Sequence, residues 1–132
     1  MINSEVKTHS HRELIVWQRA MQLVEAVYEL TNFFPKSEQY GLTSQIRRSS
    51  VSIPSNIAEG RKRGSRKEYR QFLLVAYGSG AELETQLEIS RRLHFIKGFR
   101  DQAVNSLPLE VMKMLNKMIT SLKVERPKNL KN

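Results

Sequence analysis

The residues with the clearest chemical potential in this chain are cationic. Arg47 and Arg48 stand side by side, Arg61-Lys62-Arg63 form a run, and Arg66, Lys67 and Arg70 come soon after. A guanidinium presents its donors in a planar fork that matches phosphate, and lysine adds a compact charge. These eight residues are therefore the candidate nucleic-acid-binding set. The last three fall in the first turns of an expected helix, whose exposed amides also favour an anion. Cations there oppose the positive end of the helix dipole, an arrangement unfavourable for folding alone and one that favours a bound anion. The competing reading is a solvated surface whose charges pair with Glu59, Glu68 or a neighbouring subunit.

The distribution of charge sharpens the point. Residues 47–70 hold 8 basic and 2 acidic side chains, and residues 113–132 hold 6 basic and 1 acidic. Residues 1–46 and 71–112 each carry 4 basic and 5 acidic. Two blocks thus supply the whole excess behind the net charge of +9. Clustered charge suits a polyanionic partner better than the same charge scattered.

Other chemistry is poorly supported. Glu84 and Glu88 lie one helical turn apart, with Glu82 on another face. A carboxylate di-metal site in a bundle needs Glu-x-x-His pairs on two helices, and His9, His11 and His94 make none. The acids are better read as partners for Arg47, Arg48, Arg91 or Arg92. His9-Ser10-His11 sits in a polar stretch where chance spacing explains it. Asp101 is the only aspartate, and the serines between Ser49 and Ser55 have no evident base. The sequence implies no enzyme, cofactor or metal. Trp17 and Tyr28 read as core, whereas Tyr40, Tyr69 and Tyr77 are open between core, interface and base stacking.

The elements that must position these groups are helical. The 132-residue length suits one domain. There is no cysteine, so no disulfide or thiolate site is possible. The N-terminus lacks the apolar core of a signal peptide, and no apolar run reaches the ~20 residues of a membrane span. A cytoplasmic protein with no membrane partner is expected.

Residues 14–34 form an amphipathic pattern, with Trp17, Ala20, Met21, Val24, Val27, Tyr28 and Thr31 on one face and Val16, Leu23 and Leu30 on a neighbouring stripe. Pro35 stops it. A second helix is expected over residues 38–59, through Leu42, Ile46, Ser49 or Ser50, Ile53 and Ile57. It carries Pro54, which lacks an amide hydrogen and crowds the Ser50 carbonyl. That predicts a kinked helix, with a break near Val51-Ser52 as the alternative. Gly60 is the expected stop. Ser65-Arg66-Lys67-Glu68 fits a capping box opening a third helix through Tyr69, Phe72, Leu73, Ala76, Gly80, Leu83, Leu87 and His94, ending at Gly98. Gly78-Ser79-Gly80-Ala81 falls mid-helix, where each glycine costs about 1 kcal/mol. Close approach of another helix is the simplest compensation, since a phosphate loop would need a preceding strand. The fourth helix carries Val111, Met112, Leu115, Met118, Ile119 and Leu122. It starts either at Asp101, with Pro108 inside, or at Ser106, with Pro108 in its first turn. The expectation is an all-α, antiparallel up-down-up-down four-helix bundle over residues 12–124, with flexible tails at 1–11 and 125–132, the latter basic.

Particular residues also carry a family resemblance over residues 14–122. They are Val16-Trp17-Gln18, Phe34-Pro35, the run from Tyr40 to Gly60 (YGLTSQIRRSSVSIPSNIAEG), Gly78-Ser79 and Glu82-Leu83-Glu84-Thr85-Gln86-Leu87. The chain resembles the four-helix-bundle proteins encoded in intervening sequences of bacterial 23S rRNA genes. The resemblance implies a homo-oligomer, commonly a homopentamer. It also implies likeness to the accessory protein of diversity-generating retroelements, a basic pentameric barrel that engages a reverse transcriptase and nucleic acid. It supplies no molecular activity. Pro108 departs from the family's uninterrupted last helix. Two functions are consistent with these residues: a non-enzymatic oligomer binding nucleic acid, RNA favoured over DNA, and a protein-interaction scaffold for an acidic protein partner.

Overall fold

The computed structural model describes residues 10–97 and 101–123. The expected stop at Gly98 and most of both expected tails lie outside the described residues. Within them the structure is all-helical: α1 (Ile15–Thr31), α2 (Leu42–Lys62), α3 (Arg66–Arg92) and α4 (Asp101–Ser121), with short 3-10 turns at His11–Glu13 and Lys36–Glu38. Each helix packs on its neighbours in the chain, and α4 closes back on α1.

The order of contacts gives the direction of the helices. Between α2 and α3, Ser49 meets Gln86 at 2.7 Å, Ser52 meets Ser79 at 2.8 Å, and Gly60 lies against Phe72. Between α3 and α4, Arg66 reaches Ser121, Arg70 reaches Ile119, Gly80 faces Met112, and Arg91 reaches Asn105. In each pair one number rises as the other falls, so the helices run antiparallel.

Apolar spacing places the core. Leu23 and Val27 of α1, Ile46, Ile53 and Ile57 of α2, Leu73, Leu83 and Leu87 of α3, and Val111 and Leu115 of α4 are fully buried. Each contributes about 1.5–3 kcal/mol by leaving water. The phase of α1 differs from the expected one. Val16, Ala20, Leu23, Val27, Leu30 and Thr31 are buried, while Met21 and Tyr28 are exposed. The apolar surface of α1 is wider than two neighbouring helices cover, and the seven-residue series Val16, Leu23, Leu30 wins the centre. Tyr28, expected in the core, instead lies beneath a guanidinium. Trp17 is half-buried against the core.

Boundaries differ where capping chemistry decides them. α2 begins at Leu42 rather than Glu38, because Glu38 turns back and its carboxylate accepts from the Leu42 amide at 3.0 Å. α2 then runs without interruption past Pro54, so no break forms near Val51. It also runs past Gly60, the expected stop. A Cβ on Gly60 would lie 2.7 Å from the Phe72 Cβ and 3.3 Å from the Tyr69 carbonyl. That glycine allows α3 to pack closely, and the left-handed turn falls to Gly64 at φ +87°. Ser65 caps α3 as expected, accepting from the Glu68 amide at 3.1 Å. The other half of the box differs: the Glu68 carboxylate takes the Ser65 hydroxyl at 3.3 Å.

α3 stops at Arg92. His94 adopts φ +63°, the Phe95 amide reaches back to the Ser90 carbonyl, and the His94 amide reaches Arg91. This is a Schellman ending with histidine in the left-handed position that glycine usually fills. Phe95 then packs on Phe34, ring centroids 5.6 Å apart. α4 takes the early start, with a buried Pro108 inside the helix. The two mid-helix glycines divide in role. A Cβ on Gly80 would overlap the Met112 sulfur, whereas one on Gly78 would meet nothing within 4 Å.

Candidate nucleic-acid interface

The eight candidate cations separate into two groups. Arg47 and Arg48 sit near the start of α2, and Arg61 lies about 20 Å further along it at 1.5 Å per residue. Arg61, Lys62, Arg63, Arg66, Lys67 and Arg70 gather at the opposite end of the bundle, where α2 turns into α3.

Arg47 is a structural staple. Its Nε donates to Thr31 Oγ1 at 2.8 Å, its Nη2 to Asn32 Oδ1 at 3.2 Å, and its guanidinium lies 4.4 Å from the Tyr28 ring centroid. The Thr31 hydroxyl is itself anchored to the Val27 carbonyl at 2.8 Å. The half-buried Arg47 thus ties α2 to the end of α1. Arg48 is exposed beside Tyr40, which is 91% exposed; both line a second cleft of about 500 Å3.

At the other pole the cations are partly committed. Arg66 Nη2 donates to the Ser121 carbonyl at 3.0 Å, and Arg70 Nε to the Ile119 carbonyl at 3.0 Å. These carbonyls belong to the last turn of α4, the negative end of its dipole. The expected dipole penalty at the start of α3 is therefore offset by α4, and no anion is needed to explain it. Arg63 pairs with Glu59 at 2.9 Å and lies over the Phe72 ring at 4.9 Å. Arg61 lies 5.7 Å from the Tyr69 ring centroid. Lys62 and Lys67 are exposed. Arg61, Lys62 and Arg66 share the lining of one cleft.

A cleft of about 720 Å3 opens among these residues, lined in part by His11, Arg61, Lys62, Ser65, Arg66 and Tyr69. Sequence reasoning assigned His11 to a tail and left Tyr69 undecided, because their meeting depends on how the bundle brings distant segments together. The turn carrying His11 is held in place: its ring lies 5.1 Å edge-on to Trp17, and Gln18 Nε2 donates to the Arg12 carbonyl at 2.9 Å. Partial burial, reinforced by Arg12 and Lys62, lowers the His11 pKa. Burial raises the Tyr69 pKa against the opposing pull of Arg61. α4 ends at this same pole, and the sequence after it carries Lys123, Arg126, Lys128 and Lys131. Lys123, just after α4, therefore lies toward the same pole as the first basic block.

Of the three acids, Glu88 is an ion-pair partner. Glu88 meets Arg92 at 3.1 Å and Arg91 at 3.5 Å. Its pairing stays within α3 rather than reaching Arg47 or Arg48. Among the described residues no three metal-ligating side chains form a metal site, and no helix is long and apolar enough to cross a membrane.

Comparison with known proteins places this arrangement. No curated protein is similar to the chain at a significant level. A crystal structure of a protein of unknown function from the S23 ribosomal protein family of Bacteroides thetaiotaomicron superposes with a TM-score of 0.73. It is 25% identical, with 80% of this chain and 98% of that chain covered. The family model described as 23S rRNA-intervening sequence protein matches residues 12–117, covering the first three helices and most of the fourth. The chain belongs to the 23S rRNA-intervening sequence protein family.

Proposed function

We propose that this protein is a non-enzymatic binder of nucleic acid, RNA in preference to DNA, working through the pole formed by Arg61, Lys62, Arg63, Arg66, Lys67 and Arg70. The observation that carries the reading is the gathering of these six cations at one end of the bundle, where α2 turns into α3 and α4 ends beside them. Arg47 drops out of the proposed contact set because its Nε and Nη2 donate to Thr31 and Asn32 and its guanidinium plane lies on Tyr28. Arg48 stays as a secondary contact beside Tyr40. Assembly into a homo-oligomer, a pentamer as the resemblance implies, repeats the pole and multiplies a weak contact by avidity. A location in the cytoplasm, where RNA is present, goes with this reading.

Fluorescence anisotropy across a salt series tests it, using a structured rRNA hairpin and an unrelated duplex. Neutralising ~6 phosphates gives a log–log slope of roughly −4 to −5. Lys62→Glu with Lys67→Glu should flatten the slope without unfolding the protein, as both side chains are exposed. No binding at physiological salt would reject the reading and turn attention to an acidic protein partner, sought by pull-down after nuclease treatment. Light scattering at micromolar concentration tests assembly: a mass near the 15.4 kDa of one chain would remove the avidity argument.

A further inference from the structure

The cleft at the basic pole contains a feature that charge alone does not explain. His11 Nδ1 and Tyr69 Oη are both closed to solvent without a well-formed hydrogen bond among the described residues, the Tyr69 hydroxyl having only the nearby Arg61 guanidinium, which misses hydrogen-bond geometry. Buried polar atoms are nearly always paired, so two such atoms on the walls of one cleft call for a reason. The same walls carry Arg61, Lys62 and Arg66, and no acidic side chain lines them among the described residues.

The shape narrows the ligand. The N-terminal turn, the end of α2, the start of α3 and Leu122 after α4 all contribute to the lining. A terminal phosphate carries a charge approaching −2 at neutral pH and three acceptor oxygens. Three cations with two further hydrogen-bonding groups suit that dianion better than a singly charged diester. A volume of about 720 Å3 accommodates a nucleotide rather than folded RNA.

We propose that this cleft receives the terminal phosphate of a nucleic-acid strand, with Arg61, Lys62 and Arg66 supplying charge and Tyr69 Oη and His11 Nδ1 supplying directed hydrogen bonds. The proposal rests on the nucleic-acid reading above and adds the part of the strand that is recognised. Both atoms are buried in the free protein, so binding requires a change of side-chain torsion at His11 and Tyr69 to bring them to the phosphate oxygens. Until then the hydroxyl of Tyr69 lacks a well-formed hydrogen bond, so its removal should cost the free fold little, which separates a ligand-binding role from a structural one.

The test compares one single-stranded RNA sequence bearing a 5′-phosphate, a 3′-phosphate or only hydroxyl ends, labelled internally and followed by anisotropy. Wild type should bind a phosphorylated end about tenfold more tightly than hydroxyl ends, the worth of one charge-assisted hydrogen bond. Tyr69→Phe should erase that preference while the melting temperature of the free protein holds or rises. Lys62→Gln, at an exposed position, should also reduce it. Equal affinity for all ends, with binding still salt-steep, would overturn the strand-end site and leave the nucleic-acid reading standing. Loss of the preference in Tyr69→Phe only alongside a fall in melting temperature would overturn the assigned role of Tyr69. AMP binding that depends on Tyr69, without RNA binding, would overturn both readings and assign the phosphate to a free nucleotide.

Discussion

Arg70, in the second turn of α3, donates its Nε to the main-chain carbonyl of Ile119, in the last turn of α4, at 3.0 Å. With Arg66 on Ser121, it places two guanidinium groups on the negative end of an antiparallel helix. Much of the basic character of this pole is therefore structural. The charges that hold α4 are partly distinct from those open to a partner.

Arg70→Gln should accordingly destabilise the protein by about 1 kcal/mol, the net worth of a charge-assisted hydrogen bond and its dipole term. Urea unfolding measures this. Lys62→Glu with Lys67→Glu should leave the urea midpoint nearly unchanged. A midpoint unmoved by Arg70→Gln would mean that the α4 end is held by other contacts.

The glycines predict opposite outcomes. Gly60→Ala drives a methyl into the Phe72 Cβ, which cannot swing away, so a loss of about 1–3 kcal/mol is expected. Gly78→Ala meets nothing and should gain about 1 kcal/mol from helix propensity. Thermal melts of both variants check the pair. A Gly78→Ala variant that lost oligomer mass on light scattering would locate a close subunit contact at that face.

Arg47→Lys keeps the charge and removes the planar fork that reaches Thr31 and Asn32 and stacks on Tyr28. The expected cost is about 1–2 kcal/mol. Anisotropy should show RNA affinity unaltered at a temperature where the variant is folded. Reduced affinity with full stability would return Arg47 to the binding set.

His11 predicts a pH dependence. Its folded pKa lies below the ordinary histidine value of 6.5, through partial burial and then Arg12 and Lys62. The unfolded chain therefore takes up a proton before the folded one does. Its contribution to stability is full above about pH 6.5 and declines as pH falls through the window below that value. A terminal phosphate in the cleft should raise the His11 pKa. The imidazole proton shift in NMR, tracked against pH with and without 5′-phosphorylated RNA, reads both effects.

The sequence by itself determined the four helices, because Ile46, Ile53 and Ile57, or Leu73, Leu83 and Leu87, recur at spacings that only a helix can gather on one face. It also determined the Ser65 cap and the close approach at Gly80, since both depend on local chemistry or on one neighbouring helix. Tertiary structure decided whatever depends on the meeting of distant segments. Gly60 became a packing contact instead of a stop once Phe72 lay across it. The buried face of α1 settled on Leu23 and Leu30 rather than Met21 and Tyr28 once α2 and α4 covered it. Arg47, equal to Arg61 as a letter in the sequence, became a tie between helices because α1 brought Thr31, Asn32 and Tyr28 to it. His11 joined the cleft beside Tyr69 because the N-terminal turn folds against the α2–α3 end. Local periodicity sets elements, but the partner of each long side chain depends on segments that are close only after the bundle has formed.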